Sequence, residues 1–262
     1  MPLHAEVRGS GPPLTLLHGF TQTGRLWGPF GHHLADEFTL ITVDLPGHGG
    51  SGAIRADLPA TAQLVAQAVH EAIGTTQPTA LLGYSLGARV ALHVALAHEL
   101  HLNALVLIGG TGGIDDPETR ARRRSADEAM ADALEESGDV NAFIERWVRS
   151  PMFSHLGSAA DVTERQRNTA QGLASSLRLT GAGTQEPLWS RLPDFATPTL
   201  ALAGSNDARF ATHAQRMADL LPAALVSLIP GGGHAAHLAQ PGVAGRVVHH
   251  WLSNVLTPGS PP

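Results

Sequence analysis

The sequence predicts an α/β fold: a mostly parallel sheet flanked by helices and interrupted by a helical insertion. Three observations lead there. The runs 14–17, 38–43, 79–82, 104–108, 199–203 and 225–229 are apolar almost throughout, as strands covered on both faces must be. Helical patterns lie between several of them. Between 115 and 191 the strand signal disappears, and ten of the 17 arginines gather there.

In chain order, 14–17 and 38–43 read as the first strands. Residues 61–73 read as a helix with Leu64, Val65, Ala68, Val69 and Ala72 on one face. The strand at 79–82 runs into a Gly-x-Ser-x-Gly turn and a further helix, and 104–108 is the next strand. Helices are expected over 118–136, 140–148 and 161–177, strands at 199–203 and 225–229, and a last helix over 243–256. Residues 1–114 and 192–256 thus form an α/β core, 115–191 a helical lid, and 257–262 a tail expected to be disordered.

Composition bounds the partners. A chain of 262 residues with 43% apolar content fits one large domain with a sizeable core. No apolar run approaches the ~18 residues that span a bilayer, and the first residues lack an export signal. With no cysteine the chain suits the cytoplasm. A net charge of −6 argues against nucleic acid as a partner. There is no lysine, so any anion must be bound by guanidinium groups. No metal-ligand or cofactor motif is present, and a monomer or small homo-oligomer is expected.

The chemistry centres on Gly83-Tyr84-Ser85-Leu86-Gly87. A strand before it and a helix after make it a nucleophile elbow, a turn so sharp that only small residues fit two positions either side of the serine. A serine hydroxyl needs a partner to take its proton. Asp207 follows the 199–203 strand and His234 the 225–229 strand, in the order acid then histidine. Two rivals fit less well: His237 falls past the strand end, where a helix can begin, and Asp44 comes too early, in a Pro-Gly segment that reads as a structural turn. Backbone N–H groups of Leu86, at the helix start, and Phe20, in His18-Gly19-Phe20, are the expected oxyanion donors.

Leu17-His18-Gly19-Phe20, Asp44-Leu45-Pro46-Gly47-His48-Gly49 and the elbow together resemble the α/β-hydrolase superfamily over essentially the whole chain. That superfamily hosts many reactions. Finer features resemble the 2-succinyl-6-hydroxy-2,4-cyclohexadiene-1-carboxylate synthase (MenH) family of the menaquinone pathway. These are Tyr84 and Arg89 around the serine, Gly233-His234-Ala235-Ala236-His237-Leu238, Arg123-Arg124 followed by Asp127-Glu128-Ala129, Gly172 to Arg178, and Gly183-Thr184-Gln185 with Leu188-Trp189. Ala88 and Ala182 depart from the family pattern by small changes.

The resemblance implies a lyase that eliminates pyruvate from the tricarboxylate 2-succinyl-5-enolpyruvyl-6-hydroxy-3-cyclohexene-1-carboxylate, without a cofactor. Arginines should hold that substrate: Arg89, one helical turn beyond Ser85, then Arg123 and, from a later helix, Arg165 or Arg167. Thirteen acidic residues share the insertion, so only a few of its arginines can be ligands. Tyr84 either packs against the lid or touches substrate, and Trp147 either lines the pocket or belongs to a core. The alternative is a serine hydrolase, a carboxylesterase or C–C bond hydrolase, acting on a small acidic substrate.

Overall fold

The structure, a computed structural model, describes residues 1–97, 100–157 and 161–256. The tail expected at 257–262 lies outside the described residues. Seven strands form one sheet: β1 (Ala5–Arg8), β2 (Pro13–Leu17), β3 (Thr39–Val43), β4 (Thr79–Tyr84), β5 (Leu102–Ile108), β6 (Thr199–Gly204) and β7 (Ala224–Ile229). Their order is β1-β3-β2-β4-β5-β6-β7. Among the described residues β1 pairs antiparallel with β3, and the other pairings are parallel.

Both faces of this sheet are covered, which is why the strands read as continuous apolar runs. Ile41, Leu81, Leu105 and Ala201 point to one side, where they pack with Val65 and Val69 of α2 (Leu58–Ile73) and with Val90 and Val94 of α3 (Leu86–Ala97). Their neighbours Leu40, Leu82, Val106 and Leu200 point to the other. There they meet Phe30 and Leu34 of α1 (Gly28–Ala35), and Val248 and Leu252 of α10 (Pro241–Leu256). Each buried Val, Leu, Ile or Phe among these contributes roughly 1.5–3 kcal/mol.

Between β5 and β6 the described residues contain no strand. They form α4 (Pro117–Ser137), α5 (Val140–Val148), α6 (Val162–Arg165) and α7 (Ala170–Thr180). These helices own a small apolar core of Leu134, Phe143, Ile144, Leu173 and Leu177, against which Phe20 and Trp147 pack. The single helix expected over 161–177 is instead two. Asp161 caps α6 through the Glu164 N–H, and Thr169 caps α7 through the Gly172 N–H. The chain after β6 continues as α8 (Ala208–Leu220), and that after β7 as the short α9 (Ala236–Ala239).

The strands converge on the turn between β4 and α3. A Cβ on Gly87 would stand 1.9 Å from the Leu17 carbonyl oxygen, and one on Gly83 2.3 Å from the Gly87 carbonyl oxygen. That contact is the physical reason for the Gly-x-Ser-x-Gly spacing. Replacing Gly87 with alanine should therefore cost about 1–3 kcal/mol of folding stability, read as a lower urea midpoint. An unchanged midpoint would contradict the close packing.

Candidate active site

Ser85 sits at φ 53°, in the left-handed region that costs a non-glycine residue about 1 kcal/mol or more. Its N–H is tied to the Ile108 carbonyl (2.9 Å), and its carbonyl accepts from the Arg89 N–H (3.2 Å). The hydroxyl is thereby lifted off the carboxyl edge of the sheet. His234 Nε2 lies 2.9 Å from Ser85 Oγ, and His234 Nδ1 lies 3.1 Å from Asp207 Oδ2. The imidazole is held between rings: Phe210 at 4.3 Å and Tyr84 at 5.4 Å, centroid to centroid.

Asp207 does two things at once. Its Oδ2 faces His234 while its Oδ1 accepts from the Phe210 N–H, capping α8. Burial alone would raise this carboxyl. The hydrogen bonds from His234 and Phe210 and the nearby positive charges outweigh that and hold it below the ordinary carboxylate range. An Asp207 that stays anionic fixes the proton on His234 Nδ1 and leaves Nε2 free to accept from Ser85.

A cavity of about 570 Å³ opens over Ser85 and His234, and Phe20, Leu86, Arg89, Arg123 and Trp147 help line it. Arg89 is buried; desolvation, with Arg123 nearby, lowers its pKa to about 10, which Asp127 partly offsets. It remains charged at neutral pH. Among the described residues its side chain makes a long bond to the Gly181 carbonyl (3.4 Å). Arg123 Nε is held by Asp127 Oδ1 at 2.9 Å. The Trp147 indole N–H is buried and has no acceptor among the described residues.

Two expected ligands stand elsewhere. Arg165 is buried on Thr21, with Nη1 2.5 Å from the hydroxyl, and does not line the cavity. Tyr84 does not line it either; it packs under the loop at Gly19, with its ring 4.4 Å from that of His237. Tyr84 points away because the turn that lifts Ser85 up leaves its predecessor, the last residue of β4, in the sheet, whereas Arg165 is drawn from α6 onto Thr21. Arg167 is exposed and pairs with Glu164.

The sequence reading missed Arg209 and Arg216, which also line the cavity from α8. Arg216 pairs with Asp115 and lies 3.9 Å from the Trp189 ring. Their position just after Asp207 was the available signal, because the helix that Asp207 opens starts at the same edge of the sheet.

The rivals have structural work. Asp44 accepts from the Gly24 and Gly50 N–H groups at 2.6 and 2.7 Å. His237 falls in α9, buried between Tyr84, Trp27 and Phe30. His18 and His48 shape the loop that carries Phe20. His18 Nδ1 donates to the Gly19 carbonyl and its Nε2 accepts from the Leu45 N–H. His48 Nδ1 donates to the Pro46 carbonyl and its Nε2 accepts from the Thr21 N–H. Burial pushes His18 down to about 4, and His48 and His237 down to about 3, so all three are neutral.

Residues 12–241 match the family model for the alpha/beta hydrolase fold. The chain is 32% identical over 257 residues to 2-succinyl-6-hydroxy-2,4-cyclohexadiene-1-carboxylate synthase of Pectobacterium atrosepticum, covering 96% of this chain and 98% of that one. Among solved structures it resembles MenH from S. aureus, with a TM-score of 0.89 and 28% identity over 97% of this chain and 99% of the other. It also resembles a thermophilic esterase from Thermogutta terrifontis with malate bound, with a TM-score of 0.83 and 27% identity over 97% and 94%.

Histidines with folded pKa values below the unfolded value bind protons more readily in the unfolded chain. Their contribution is complete above about pH 6.5 and is lost as pH falls toward the folded values. The thermal midpoint should therefore drop between pH 6.5 and 5, and His48→Asn should make that slope shallower. A midpoint flat across this window would contradict three neutral, buried imidazoles.

Proposed function

The chain belongs to the α/β-hydrolase family, and on that premise we propose that it is a carbon–oxygen lyase of menaquinone biosynthesis. It eliminates pyruvate from 2-succinyl-5-enolpyruvyl-6-hydroxy-3-cyclohexene-1-carboxylate to give 2-succinyl-6-hydroxy-2,4-cyclohexadiene-1-carboxylate. The observation that carries this reading is one juxtaposition. A hydrogen-bonded Ser85–His234–Asp207 line opens into a cavity whose walls hold Arg89 and Arg123. Near-full-length similarity to a synthase of that name supports it.

In this mechanism His234, oriented by Asp207, takes the Ser85 proton. The serine alkoxide removes the proton next to the succinyl ketone of the substrate. Negative charge builds on the ketone oxygen, where the N–H groups of Phe20 and Leu86 stabilise it. The enolate collapses to the diene as the C–O bond to the enolpyruvyl group breaks. The departing enolpyruvate takes the proton from His234 and becomes pyruvate, restoring both side chains. No acyl-enzyme forms. Arg89 and Arg123 hold substrate carboxylates, the Trp147 indole N–H adds a donor, and the helices α4 to α7 act as a lid. The enzyme works in the cytoplasm, as a monomer or small homo-oligomer.

One observation favours a second reading. The likeness to an esterase that holds malate fits a serine hydrolase for small acidic esters on the same triad. Arg89→Ala separates carboxylate binding from serine activation. Loss of a charge-assisted hydrogen bond, about 1.5–3 kcal/mol, should raise KM for the tricarboxylate roughly tenfold to hundredfold. Hydrolysis of neutral p-nitrophenyl acetate should stay within about twofold of wild type. Equal losses on both substrates would count against the assignment of Arg89. Intact mass measured during turnover of the tricarboxylate should show no adduct, and an acyl adduct would favour the hydrolase.

A further inference from the structure

Thr21 is β-branched, yet it sits at φ 67°. It is the third residue of a turn closed by the Gln22 N–H on the Gly19 carbonyl (3.0 Å). A positive φ at that position favours glycine, and threonine there costs about 1–3 kcal/mol unless its surroundings hold it. Three partners from two segments, His48 and 165–168, do so. The Thr21 N–H donates to His48 Nε2 (3.3 Å), the hydroxyl accepts from Arg165 Nη1 (2.5 Å), and the carbonyl accepts from Asn168 Nδ2 (2.8 Å).

Asn168 is the joint of this arrangement. It is 4% exposed. Its Nδ2 also donates to the Arg165 carbonyl (2.8 Å), while its Oδ1 accepts from the Gly49 N–H (3.0 Å). Exchanging its oxygen and nitrogen would set an acceptor against two carbonyls, so only one amide orientation satisfies all three contacts. The turn it grips contains the Gly19–Phe20 peptide, whose carbonyl is fixed by His18 Nδ1 (2.8 Å) and the Gln22 N–H. The other end of that same peptide is the Phe20 N–H.

We infer that Asn168 is a positioning residue for the chemistry at Ser85: reaching from the helices between β5 and β6, it holds Thr21 in its left-handed conformation and so keeps the Phe20 N–H in place. Arg165 acts through Thr21 in the same way, not as a substrate ligand. The inference rests on the oxyanion role given to Phe20 above. It makes the oxyanion site dependent on the insertion: the loop after β2 is complete only with the 165–168 segment against it.

The test is a double-mutant cycle of Asn168→Ala and Thr21→Gly. Glycine adopts the left-handed conformation without help, so it should bypass the need for Asn168. Two rates are measured: turnover of the tricarboxylate, and inactivation by a fluorophosphonate, whose phosphoryl oxygen occupies the oxyanion site on any activated serine. Asn168→Ala should lower kcat and the inactivation rate at least tenfold with KM within twofold, and adding Thr21→Gly should restore most of both. A rise in KM with kcat intact, or the same loss with and without Thr21→Gly, would overturn the inference. If Asn168→Ala does not fold, Asn168→Ser must show the same loss and the same rescue. A wild type that reacts with fluorophosphonate but leaves the tricarboxylate untouched overturns the lyase reading alone, and the inactivation rates then decide the inference. A wild type inert to fluorophosphonate overturns both.

Discussion

The site depends on a backbone contact: the turn between β4 and α3 presses so closely on the end of β2 that Gly87 has no room for a Cβ beside the Leu17 carbonyl. That contact forces Ser85 into a left-handed conformation and lifts its hydroxyl above the sheet. Parallel pairing of β2, β4, β5, β6 and β7 then brings the following loops to one edge. Phe20, Asp207 and His234 meet Ser85 there for that topological reason, although they lie far apart in the chain. Strain at the serine is stored locally, and the covered sheet supplies the stability that sustains it.

Charge is the second organising element. The chain has no lysine, and its cavity gathers guanidinium groups on an otherwise largely apolar wall. Burial weakens Arg89's hold on its proton without removing it. Arg123 already has a carboxylate in Asp127, and Arg216 has one in Asp115. Among the described residues the Arg89 side chain bonds a distant carbonyl, with the Asp127 charge nearby. Planar guanidinium groups bind carboxylates through paired, directional bonds, which supports the acidic substrate proposed above; Asp115 and Asp116 share the same wall. On the other side of the serine three imidazoles are neutral. His18, His48 and His237 are stripped of charge by burial, and they serve to shape loops.

Much of this was legible in the sequence, for identifiable reasons. Strands buried on both faces announce themselves as apolar runs, and the glycine spacing at the elbow reports a steric contact directly. The order serine, acid, histidine could be read because each lies just after a strand. Other features are decided by packing. Helix α1 contains two glycines and a proline, and it is held by burying Phe30 and Leu34, not by propensity. The edge strand β1 is four residues long, too short for a pattern. The break between α6 and α7 follows from Asn168 bonding the Thr21 carbonyl and Thr169 capping the start of α7. Arg165 reads like the cavity arginines in the sequence because composition cannot tell a guanidinium that lines a cavity from one that props a loop. Tyr84 beside the serine was equally ambiguous, since adjacent residues at a sharp turn face different compartments.

The central claim is that an activated serine here removes a carbon-bound proton and releases pyruvate. It is tested most directly by supplying freshly prepared 2-succinyl-5-enolpyruvyl-6-hydroxy-3-cyclohexene-1-carboxylate and following pyruvate and diene absorbance together, for wild type and Ser85→Ala. The account predicts fast, stoichiometric formation of both products by the wild type and a rate near the spontaneous one for the variant. A wild type no faster than the spontaneous reaction, or a Ser85→Ala variant that keeps the wild-type rate, would contradict it.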